Sequence, residues 1–121
     1  MKKCIPLILL CLFLAACGQP DYNGSRLGND RELHMAYTAF NTTDGQTLSL
    51  EAGETLQVQV VSDAGSLAIT IQKEEDPPIY QGTNLPTQTF TVAVEETGEY
   101  TVTLTGEKAR GSVDVTVSPQ P

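Results

Sequence analysis

The chain has 121 residues, 15 of them acidic against 7 basic, for a formal net charge of −8. A length of this order supports one domain, and the acidic balance repels nucleic acid, which is excluded as a partner. One histidine, three cysteines and no tryptophan leave little material for a Ser-His-Asp or Cys-His centre, or for a zinc site.

The N-terminal residues form a unit of their own. Lys2 and Lys3 supply a positive start, residues 5–13 are apolar apart from Pro6, and the small Ala15 and Ala16 follow. That is the layout of a secretory signal peptide, with an apolar run too short to span a bilayer as a helix. A buried N-terminal helix is the competing reading. Leu14-Ala15-Ala16-Cys17 resembles the lipobox of bacterial lipoproteins at all four positions. The resemblance implies a diacylglyceryl group on the Cys17 thiol, cleavage just before it, and a lipidated, palmitate-bearing Cys17 at the mature N-terminus.

Cleavage at that point has consequences for everything downstream. Cys4 and Cys11 are lost, so Cys17 is left alone and no disulfide closes within the mature chain. The 15 acidic residues then face 5 basic ones, a formal charge of −10. A surface of that charge does not seek anionic head groups, so the partner at the membrane is reached through the lipid on Cys17. At about 0.8 kcal/mol per buried CH₂, two or three acyl chains anchor stably where one does not. The expected location is the cell membrane or outer membrane, with the domain on the extracytoplasmic side.

Residues 18–34 contain Gly, Pro, Asn, Asp and Ser throughout and show no clear period. They read as a flexible tether with a mean reach of roughly 20–25 Å. A short helix over residues 29–36, capped by Asn29 or Asp30, is the alternative. The expected division is a signal peptide over 1–16, lipidated cysteine and tether over 17–35, and one domain over 36–118.

Beyond the tether the period becomes two. Leu56, Val58 and Val60 alternate with polar residues, as do Leu67, Ile69 and Ile71, then Phe90, Val92 and Val94. Tyr100, Val102 and Leu104, and finally Val113, Val115 and Val117, complete five clean runs. Leu48 with Leu50, and residues 35–42, mark further strands. About seven short strands with turn signals between them predict an all-β fold, a small antiparallel β-sandwich, with a small barrel second.

Residues 73–88 interrupt the spacing with Glu74, Glu75, Asp76 and three prolines. They read as a connection crossing between sheets, with Ile79 and Tyr80 as a brief edge strand. An irregular loop on a rigid scaffold is a candidate binding element, here Asp76, Pro77, Pro78, Ile79, Tyr80 and Gln81. The strand pattern over residues 65–117 is similar to small jelly-roll-type accessory sandwiches such as GOLD-like and pre-peptidase C-terminal domains. That resemblance implies a non-catalytic binding or accessory module.

The remaining chemistry is sparse. His34, the sole histidine, falls in the expected tether, away from any scaffold, so catalysis is not expected; an envelope hydrolase using paired carboxylates is the remote alternative. Calcium has low-priority candidates in Glu74, Glu75 and Asp76, or in Asp44 with Glu51 and Glu54, and the corresponding alternative is a calcium-dependent structural or adhesive domain. No cofactor is expected. Phe90 and Tyr100 lie in the inward phase of their strands, which leaves Tyr80 as the aromatic best placed for exposure. Thr70, Thr91, Thr101, Thr103, Thr105 and Thr116 dress the outward faces as good strand formers. Taken together, these features describe a membrane-anchored lipoprotein carrying a non-catalytic binding module at the bacterial envelope, with an envelope protein or glycan as its partner.

Overall fold

The structure, a computed structural model, describes residues 21–118. In chain order the strands are β1 (Tyr22–Gly28), β2 (Glu32–Phe40), β3 (Thr43–Leu50), β4 (Thr55–Lys73), β5 (Tyr80–Gly82), β6 (Gln88–Ala93) and β7 (Gly98–Ser118). Every pairing between them is antiparallel, and hydrogen bonds link all seven into one continuous sheet. The fold is all-β, a small sandwich, as the period-two runs require.

Two long strands create both layers. β4 has 19 residues and β7 has 21. They pair along nearly their whole lengths, from Thr55 opposite Ser118 to Lys73 opposite Tyr100. On the far side of β7, β2 pairs with the second half of the strand and β3 with the first half. On the far side of β4, β6 pairs with the first half and β5 with the second. One layer is therefore β1-β2-β7-β4-β6, and the other is β3-β7-β4-β5. The sheet is folded across its own central pair.

The crease lies where the β4–β7 register shifts, around Ser62, Ala64 and Ser66. Such irregularities bend a strand and tighten its twist. Gly65 takes φ 71 and Gly111 φ 148, and a Cβ on either would overlap a carbonyl oxygen, of Lys108 and Val61 respectively. The two backbones approach too closely at the crease for side chains at these positions.

Alternation then sorts the side chains. Leu33, Met35, Leu56, Val58, Val60, Val113 and Val115 point inward from the first layer, and Leu48, Leu67, Ile69, Ile71, Val102 and Leu104 from the second. Each such burial contributes about 1.5–3 kcal/mol against exposure. Among the described residues no polar or charged residue is buried.

The sandwich starts earlier than the composition indicates. Residues 18–34 were expected to be a tether, yet β1 and the start of β2 occupy the described part of that range, and no helix forms over 29–36. β1 is an edge strand with mostly exposed side chains, held by its ladder to β2 and by polar contacts, so it needs no apolar period. Arg26 of β1 reaches across to the other layer, with Nε 2.7 Å from Asp44 Oδ2 and Nη2 donating to the Gly45 carbonyl at 3.0 Å. On the opposite flank β5 and β6 meet through the Tyr80 and Phe90 rings, stacked at 4.6 Å between centroids.

The folded sheet has two unlike ends. At the creased end, Asn41 N–H donates to the Asp21 carbonyl at 2.7 Å and Gly106 N–H to the Thr42 carbonyl at 2.9 Å. At the open end, the β3–β4 turn and the segment after β6 are joined, with Gly53 N–H donating to the Val94 carbonyl at 2.8 Å and Val94 N–H to the Glu54 carbonyl at 2.9 Å.

Candidate functional site

The β4–β5 connection projects from the open end and is pinned at several points. Asp76 N–H donates to the Lys73 carbonyl at 2.9 Å, Ile79 N–H to the Ile71 carbonyl at 2.8 Å, and Gln72 Nε2 to the Asp76 carbonyl at 2.7 Å. Glu74 turns the chain at φ 50, a left-handed conformation that non-glycine residues seldom take. The result is a shaped loop rather than a floppy one.

Facing it is the turn between β6 and β7. Tyr100, its ring buried, donates its hydroxyl to the Glu96 carbonyl at 2.6 Å and so fixes that turn. Lys73 Nζ lies 3.2 Å from Glu96 Oε1, and its stem passes over Gly98, where a Cβ would collide with it. The bond to Glu96 raises the Lys73 pKa above its ordinary value, and burial opposes that rise. Between loop and turn lies a cleft of about 410 Å³, with Ile79, Pro77 and Ala93 as apolar walls and Asp76, Glu95 and Glu96 on the rims. Ile79 is 39% exposed, one of two large apolar side chains left open to solvent among the described residues. Such a cleft can hold a short chain segment with an apolar contact and a cationic or hydrogen-bonding group.

The arrangement divides the expected binding loop. Asp76, Pro77 and Ile79 line the cleft, whereas Pro78 and Gln81 are exposed outside it. Tyr80 is half-buried against Phe90, itself half-buried at the edge of the core, and offers no free platform. Tyr100 was expected in the core, where its ring lies, whereas nothing in the sequence marked Lys73, Glu95 and Glu96 as site residues. The Glu-Glu-Thr-Gly turn marks their position but not that it would face residues 76–79.

The calcium candidates do not assemble. Among the described residues no three His, Cys, Asp or Glu side chains form a metal-holding group. Asp44 is occupied by Arg26, and Glu54 by Arg31, whose Nη2 lies 2.6 Å from Glu54 Oε2. Arg31 also donates to the Ser49 carbonyl at 2.6 Å, and its bond holds the Glu54 pKa below the usual carboxylate value.

His34 is not in a tether. It stands in β2 between buried Leu33 and Met35, so its ring lies on the outer face of the first layer. Nδ1 is 2.6 Å from Asp114 Oδ1 and Nε2 is 2.7 Å from Glu32 Oε1. These bonds, to Asp114 first and then Glu32, raise the His34 pKa, and the same bond lowers that of Glu32. With both ring nitrogens held by carboxylates, the His34 ring is a strut between β2 and β7.

Cys17 and the rest of the lipobox, together with the signal peptide, lie outside the described residues. No protein-family model matches the chain, and no curated protein sequence does. Among solved structures, PliG of Aeromonas hydrophila, a periplasmic inhibitor of g-type lysozyme, is similar at 17% identity and a TM-score of 0.49, over 80% of this chain and 88% of that one. A CBM4 structure is similar at 19% identity and a TM-score of 0.46, over 88% of this chain and 83% of the other. The Drosophila melanogaster CENP-C cupin domain matches at 7% identity and a TM-score of 0.42, over 83% of each chain. At such identities no ligand or activity passes from these proteins to this chain.

Proposed function

We propose that this protein is a lipid-anchored, non-catalytic binding module of the bacterial cell envelope. The Leu14-Ala15-Ala16-Cys17 motif carries the reading, because it assigns export, the anchor and the extracytoplasmic side together. The open-end cleft is the binding site, and its partner is a segment of an envelope protein. Carboxylate rims around an apolar wall suit a peptide better than a sugar, for which exposed aromatic platforms are wanting: the Tyr100 ring is buried and Tyr80 is stacked on Phe90. The non-catalytic role is supported by His34, whose two nitrogens are engaged on a sheet face away from the cleft.

Two measurements test this. Labelled palmitate is expected in the wild-type protein and absent from Cys17→Ser; equal labelling overturns the anchor. An Ile79→Asp, Glu96→Lys variant is expected to keep its melting temperature within a few degrees and lose the protein captured by wild type from envelope extract. Unchanged capture removes the cleft as the site, and capture of glycan instead of protein overturns the choice of partner.

A further inference from the structure

The creased end carries the point at which the chain leaves toward Cys17. Asp21 is fixed there through its carbonyl, which accepts the Asn41 N–H at 2.7 Å, and Tyr22 pairs directly with Phe40. Four residue steps separate Cys17 from Asp21 in the sequence. Fully extended, they reach at most about 14 Å, less than the tether read from composition alone.

Charge is divided along the same axis. At the creased end the exposed Lys108 and Arg110 are offset by the exposed Asp21, Asp63 and Glu107, so charge there nearly cancels, and Asn41 Oδ1 accepts the Lys108 N–H at 2.9 Å. Glu74, Glu75, Asp76, Glu95 and Glu96 crowd the open end. The ends are separated by the second half of β4, Ala64 to Lys73, roughly 30 Å of extended chain. That is several times the screening length of about 8 Å at physiological salt, so the acidic end is hidden from a surface touching the creased end.

We infer that the creased end rests on the lipid head groups and that the cleft faces away from the membrane. This posture rests on lipidation of Cys17. The short connection holds the creased end, where charge nearly cancels, against the head groups, and the carboxylates crowded at the open end oppose any tilt that would bring that end onto anionic lipid. The binding cleft is thereby presented to partners outside the membrane plane.

The test uses the full chain, lipidated in a bacterium and reconstituted into phosphatidylethanolamine–phosphatidylglycerol vesicles. A fluorophore is placed on Thr42→Cys at the creased end or on Glu75→Cys at the open end; the Cys17 sulfur, held in a thioether, takes no label. Quenching by a head-group nitroxide is expected to be several-fold greater at position 42 than at position 75. A Gly/Ser insertion of roughly fifteen residues between Pro20 and Asp21, adding about 20 Å of reach, is expected to shrink that difference. Equal or reversed quenching in vesicle-bound protein overturns the posture and leaves the anchor standing. Failure to take up palmitate and float with vesicles overturns both.

Discussion

His34 and Asp114 are 80 residues apart in the chain and 2.6 Å apart in the fold. With Glu32 on the other ring nitrogen, they tie β2 to β7 on the outer face of the first layer. Because folding raises the His34 pKa, this contribution is complete below the unfolded value of 6.5 and is lost as pH rises through the folded value. Glu32 and Glu54 have the opposite sign: their contributions are present above 4.5 and are lost as pH falls. The melting temperature is expected to be highest between these limits and to fall on both sides. His34→Gln should flatten the alkaline limb, as read from melting curves across pH and from NMR titration of the ring.

Gly111→Ala should be among the most damaging small changes in the molecule. Its Cβ would overlap the Val61 carbonyl, where neither backbone has room to retreat without opening the crease. A loss of about 2 kcal/mol or more is expected by urea unfolding. Gly45→Ala is the control, since its nearest atom is the Val102 carbonyl oxygen at 3.5 Å, an ordinary contact. It should change stability by about 0.5 kcal/mol or less.

The Tyr80–Phe90 stack closes the flank where β5 and β6 meet without a hydrogen-bonded ladder between them. A double-mutant cycle with Tyr80→Ala and Phe90→Ala should give a coupling of about 0.5–1.5 kcal/mol. Zero coupling would mean that each ring packs on the core alone.

Arg31 joins the segment before β2 to the end of β3 and the β3–β4 turn. Its bonds to Glu54 and to the Ser49 carbonyl are partly exposed, so Arg31→Ala should cost only about 0.5–1 kcal/mol, less in high salt. Hydrogen exchange at Gly53 and Val94 is expected to quicken, because the same turn holds those amides.

The alternation of Leu56, Val58 and Val60, or of Val113 and Val115, was enough to predict strands because one face of each strand is buried. β1 escaped that logic. Its side chains are mostly solvated, and what places it is main-chain pairing plus Arg26, signals that leave no hydrophobic period. Leu33, Met35 and Tyr37 did alternate, but glycine- and asparagine-rich residues before them masked the start of β2. The length of β4 and β7 was also hidden: the Leu56–Val60 and Leu67–Ile71 runs, and the Tyr100–Leu104 and Val113–Val117 runs, read as separate strands, whereas Gly65 and Gly111 mark creases within continuous ones. Half of the expected binding loop faces the cleft. Its opposite wall depended on register between strands far apart in sequence.

The placement of β7 sets when this chain can fold. It is the last strand made, and it is the direct neighbour of β2, β3 and β4 across both layers. Until its residues are available, β2 and β3 lack the strand they share, and the two halves of β4 have nothing to bend with. Earlier segments can pair only locally, β1 with β2 and β4 with β5 and β6. The polypeptide therefore stays open until β7 has been made, and its core closes in one step around that strand.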